Sequence, residues 1–151
     1  MNEMKQLYIA LFLLMSALVT SCGNREAERI MDSAEDVMWT RPDSALTALE
    51  SIDTLALKTK SQRARYSLLY TMALDRNHLT IQDLRVIKPA ASYYENHGSN
   101  DDKMKMYFYL GTAQYDTGDP ESAIASYIRA KEYSSRSDNL VFRGDHQFLD
   151  F

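Results

Sequence analysis

Glycine and proline are scarce, five and three residues in a chain of 151. Loop-rich and all-β proteins use more of both, so the composition favours long helices. There is a single cysteine, Cys22, which excludes an internal disulfide. The three histidines, His78, His97 and His146, stand far apart, none four residues from another and none beside the cysteine. That leaves no zinc-binding spacing, and no metal or cofactor is expected. No glycine-rich phosphate loop and no Gly-x-Ser-x-Gly elbow occurs, and the carboxylate pairs Asp101-Asp102 and Glu26/Glu28 read as solvated charge. The chain is therefore not expected to be an enzyme. A basic cluster is also missing and the net charge is -4, so nucleic acid finds little to hold.

What is present begins with an apolar run, Leu7 to Val19, interrupted only by Ser16 and preceded by a short polar start with one lysine. It falls short of the roughly 20 residues a membrane-spanning helix needs and has the form of a signal-peptide core. The run leads into Val19-Thr20-Ser21-Cys22-Gly23. This resembles the bacterial lipobox: an aliphatic residue three before the cysteine, a small residue immediately before it and another after it. The resemblance implies that residues 1–21 are removed and that Cys22 carries lipid, which would anchor the chain in the membrane. Two acyl chains satisfy the requirement for more than one lipid in firm anchoring. Residues 1–21 hold one acid, Glu3, and one base, Lys5, so the remainder keeps the net charge of -4.

Beyond Cys22 the apolar spacing is helical. Ala27, Ile30, Met31, Ala34, Val37 and Met38 recur at intervals of three and four, which predicts one amphipathic helix over 24–39. Pro42 suits the first position of a second helix with inner face Ala45, Leu46, Leu49 and Ile52. Residues 60–75 form a third, and Arg76-Asn77-His78 a polar turn. Thr80 is placed to cap a fourth running to about Asn96, with Gly98 as its stop. Pro89 lies inside that stretch and predicts a kink or break near Val86 to Lys88. The expected organisation is three hairpins, about 24–53, 58–97 and 103–135. The stretch 136–151 is left as the start of a further helix or an irregular tail, and an uncapped last hairpin would favour self-association; the alternative is that Leu140 to Phe151 folds back as its own cap.

Pro42-Asp43-Ser44-Ala45-Leu46 returns as Pro120-Glu121-Ser122-Ala123-Ile124, the mark of a repeat. The third hairpin carries Tyr107, Leu110, Gly111, Gly118, Asp119, Ala123, Tyr127 and Ala130. This resembles a tetratricopeptide repeat (TPR): aromatic, then Leu-Gly, a Gly-Asp turn, then small, aromatic and small residues in the second helix. Gln114 departs from the pattern where an aromatic is usual, and Ser135 where a proline is common. The two Pro-x-Ser-Ala copies imply repeats of about 39 residues, longer than the usual 34 or so. Together with the lipobox, these long repeats resemble the TPR lipoproteins of Bacteroides-like bacteria, and the apolar stretch after Ser135 is expected to mark a truncated or short member. The fold class implied is all-α, a TPR-like solenoid of stacked antiparallel helical hairpins behind a lipoprotein signal peptide.

In that family the first helix of each hairpin lines a concave groove. The resemblance thus implies a partner-binding groove of Lys105, Phe108, Tyr109, Thr112, Tyr115 and Asp116, extended by Arg65, Tyr66 and Tyr70. The alternative for Phe108 and Tyr109 is packing against a neighbouring hairpin. The implied function is a cell-envelope scaffold, lipid-anchored to the inner or outer membrane and binding a protein or peptide, facing the periplasm, with exposure at the cell surface left open. Glycan binding, and the sensor part of a longer signalling protein, remain open as alternatives.

Overall fold

The computed structural model describes residues 25–136; the signal segment 1–21, Cys22, and the stretch 137–151 with His146 lie outside the described residues. Those described residues are all α-helical in class, with no strand among them. Six α-helices follow in order: α1 over residues 25–37, α2 Pro42–Glu50, α3 Lys60–Arg76, α4 Lys88–His97, α5 Asn100–Asp116 and α6 Pro120–Ser134. A single turn of 3-10 helix, Thr54–Ala56, joins α2 to α3. Among the described residues no helix is long and apolar enough to cross a membrane.

Local chemistry sets the helix starts. Pro42 and Pro120 occupy the first turn of α2 and α6, where a missing N–H leaves no bond unmade. The Asp119 side chain accepts from the Ser122 N–H at the head of α6, and the Ser122 hydroxyl first, with that N–H second, holds its carboxyl below the usual carboxylate range. α3 and α5 each begin with a reciprocal capping box, Thr59 with Gln62 and Ser99 with Asp102. Gly118, at φ +86, closes the α5–α6 turn in a conformation that glycine adopts freely.

Within the expected fourth helix, residues 79–83 are not helical and α4 starts only at Lys88. Thr80 therefore caps nothing; the expected break is present as a turn over 84–87, and Pro89 kinks nothing because it sits in the first turn of α4, where proline is tolerated. The loop is fixed by its own contacts. His78 takes φ 56, the Ile81 N–H donates to the Asp116 carboxylate at 2.7 Å, and Ile81 and Ile87 are buried in the core. α5 also begins earlier than 103, because Ser99 caps it.

The pairing of α5 and α6 is antiparallel: Asn100 meets Arg136, Tyr107 stacks on Tyr133, Thr112 meets Tyr127, and Gln114 meets Ser126. Gln114, standing where the repeat pattern has an aromatic, accepts a 2.6 Å hydrogen bond from the Ser126 hydroxyl. By contrast α1 and α3 run in the same direction, with Glu28, Asp32 and Glu35 at Arg65 and, further along, the Arg76 guanidinium over the Trp39 ring. α5 packs against α3 in the same sense, since Lys105 lies near the Arg65 level and Asp116 near Ile81. One core joins all six helices, from Met31 and Met38 on α1 through Leu49, Leu69 and Met72 to Tyr109 and Ala130.

Candidate functional site

α1 carries Glu28, Asp32 and Glu35, spaced four and three residues apart and so on one face. That face meets Arg65 of α3. The Arg65 guanidinium lies 3.1 Å from Glu28, 2.7 Å from Asp32 and 2.8 Å from Glu35. Burial alone would lower its pKa, but the bonds to Glu35 and Asp32 outweigh burial and raise it further above its already high ordinary value. Arg65 is thus a permanent cation that holds three carboxylates in one place.

Beside this cluster lies a groove of about 230 Å³ between α1, α3, α4 and α5. Leu68, Leu69 and Met72 of α3 make its apolar floor, and Glu35, Arg65, Asp102 and Lys105 supply charge around it. Lys105 of α5 reaches to 3.8 Å from Glu35 of α1, across α3. Tyr94 closes the α4 side. Its burial, with the Asp102 carboxylate nearby, pushes the phenol up to about 12. Tyr94 is therefore a neutral hydroxyl at physiological pH and able to donate.

The structure distributes the sequence-derived groove residues over several environments. Lys105 lines this groove, and Arg65 stands in it. Tyr109 is 1% exposed, a core side chain whose phenol is pushed up by burial. Phe108 is half-buried, edge-on to Tyr109 and tilted against Tyr127 of α6. Thr112 lies 3.4 Å from the Tyr127 hydroxyl. The Asp116 carboxylate holds the Ile81 N–H. Tyr115, 65% exposed, faces the outer side of α6. Tyr66 and Tyr70 stack on each other with ring centres 5.7 Å apart, close enough to Glu50 of α2 for its charge to raise both phenols beyond the effect of burial.

The acidic stripe of α1 and Tyr94 were not singled out from the sequence. The signal for the stripe was available in the four-and-three spacing of Glu28, Asp32 and Glu35. Nothing local marks Tyr94, because only tertiary packing turns it toward Arg65 and Asp102. Among the described residues no group of three or more histidine, cysteine, aspartate or glutamate side chains is arranged to hold a metal ion. His97 stacks on Tyr93 at 4.6 Å.

No family model, no curated protein and no solved structure matches the chain.

Proposed function

We propose that this chain is a non-catalytic scaffold of the cell envelope, tethered by lipid on Cys22, that captures a protein or peptide on the face formed by α1, α3 and α5. In this reading the hairpins are TPR-like units of an α-solenoid, and the bound face is the concave one, turned to the periplasm. One observation carries the proposal: three helices running the same way present an apolar floor under a rim of both charge signs. Such a surface suits a peptide, because the floor takes an anchoring side chain while the rim orients the backbone and polar groups. The carboxylates there are held by Arg65, an arrangement suited to recognition more than to proton transfer. The Val19-Thr20-Ser21-Cys22-Gly23 motif supports the tether.

The test uses the full chain, extracted with detergent from the membranes in which it is made, as bait for envelope proteins. The double variant Asp32→Lys/Lys105→Glu exchanges the rim charges and keeps the net charge. It is expected to lose the partners that the native chain recovers, with helicity by circular dichroism unchanged. Recovery of the same proteins in the same amounts would sink the proposal.

A further inference from the structure

Two grooves of the surface differ in what they offer a ligand. The one along α6 is apolar, with Ile124 and Ile128 exposed beside Tyr115. The one between α1, α3, α4 and α5 adds charge to its apolar floor, and the charges are ordered by depth. Both cations sit low: the Arg65 side chain is 28% exposed and that of Lys105 20%. Arg65 turns inward to Glu28, Asp32 and Glu35, and the Lys105 ammonium lies 3.8 Å from Glu35. The carboxylates of α1 stand higher, with side chains 63% exposed at Asp32, 43% at Glu35 and 37% at Glu28. With Asp102, four carboxylates face two cations in and beside the groove, an excess of two negative charges. Whatever approaches the floor meets negative charge first.

We infer that the segment this groove takes is a basic-apolar stretch of a partner protein, an apolar anchor flanked by lysine or arginine. The inference rests on the reading of this face as a peptide-binding one and adds the partner's chemistry. The basic flank follows from the charge excess. One guanidinium cannot neutralise three carboxylates, so an incoming cation is attracted to the rim and an incoming carboxylate is repelled. Because Asp32 and Glu28 are partly solvated, pairing with them demands little desolvation. The anchor follows from Leu68, Leu69 and Met72, an apolar floor that a small cation such as a metal ion or a polyamine would leave uncovered. The hydroxyl of Tyr94, at the α4 side of the same groove, is neutral and able to accept from an ammonium group.

The experiment selects random dodecapeptides displayed on phage against the full chain held in nonionic detergent. The selected pool is expected to carry lysine or arginine beside leucine, isoleucine, methionine or phenylalanine, and to be released as salt is raised. Glu28→Gln/Asp32→Asn removes the two negative charges in excess and is expected to weaken binding of that pool roughly five- to tenfold. Lys105→Gln adds to the excess and is expected to strengthen binding roughly two- to threefold, a gain that structural damage would not produce. Helicity by circular dichroism is the control for both variants and stays constant. A pool of acidic or uncharged peptides, no pool at all, or equal binding by the two variants would overturn the inference. The docking reading fails separately. Loss of envelope partners by Asp32→Lys/Lys105→Glu, with a selected pool that is not basic, would overturn the partner chemistry alone; retention of those partners would remove the docking reading and the inference with it.

Discussion

Gly111 shows how one missing side chain sets the distance between two helices. A Cβ built there would lie 2.7 Å from Cε1 and 2.8 Å from Cδ1 of Tyr127, so the ring occupies the space a methyl group would need. Tyr127 is wedged, with Phe108 tilted against it at 5.6 Å and its hydroxyl at Thr112. Gly111→Ala gains roughly 1 kcal/mol of helix propensity but incurs an overpacking penalty of about 1–3 kcal/mol. A net loss of stability in urea denaturation is expected, relieved in Gly111→Ala/Tyr127→Leu. This small-against-large pairing is readable in the sequence, because Gly111 and Tyr127 fall at fixed places in a repeat pattern. The fate of Tyr109 is not. Tyr107, Phe108 and Tyr109 are consecutive aromatics on a helix that turns about 100° per residue. Their chemistry is too similar to say that Tyr107 and Tyr109 are buried in the core while Phe108 is half-buried.

At the scale of elements, the instructive case is the break between α3 and α4. Pro89 signals that a helix cannot run through Arg85 to Pro89, and so much is legible. What replaces that helix depends on distant residues. The Ser67 hydroxyl of α3 donates to the Val86 carbonyl at 2.5 Å and accepts from the Ala90 N–H at 3.4 Å, pinning the loop and the first turn of α4 together. Asp116 of α5 holds Ile81 in the same loop. Ser67→Ala strands a buried carbonyl and is expected to lower stability by about 1–2 kcal/mol. Pro89→Ala, changing only a first-turn position, is expected to stay within roughly 1 kcal/mol of the native chain. Equal effects of the two substitutions on the denaturation midpoint would contradict this account. The helix starts at Thr59 and Ser99 are local, and their Thr-x-x-Gln and Ser-x-x-Asp spacings are written in the chain.

For the whole molecule, the charged rim ties the helices across the groove. Arg65 joins α3 to three carboxylates of α1, and Lys105 brings α5 to the same Glu35. Each pair is partly solvated, so one alone contributes about 0–1 kcal/mol. Removing their common cation, however, also leaves like charges facing one another. Arg65→Ala is expected to lower stability by roughly 1–2 kcal/mol at low ionic strength. The difference should shrink as salt screens the exposed carboxylates; a loss independent of salt would mean that Arg65 acts through packing instead. The all-α class follows from helical spacing that can be counted along the chain. The arrangement of α1, α3 and α5 on one side depends on loop paths such as 79–87, which no local pattern specifies.

The hydrogen bond between Gln114 and Ser126 bears on how the last hairpin meets anything laid over it. Contact between an aromatic ring and aliphatic neighbours has little direction, so two helices joined that way can slide by a fraction of a turn at small cost. A 2.6 Å bond from hydroxyl to amide oxygen tolerates no such slip. It works as a vernier, setting the height of α6 against α5 near the foot of the hairpin, while the Tyr107–Tyr133 stack fixes it near the top. Ile124 and Ile128 are thereby held at a constant pitch relative to Tyr115. The face they share is a rigid template, and whatever covers it must arrive with matching spacing.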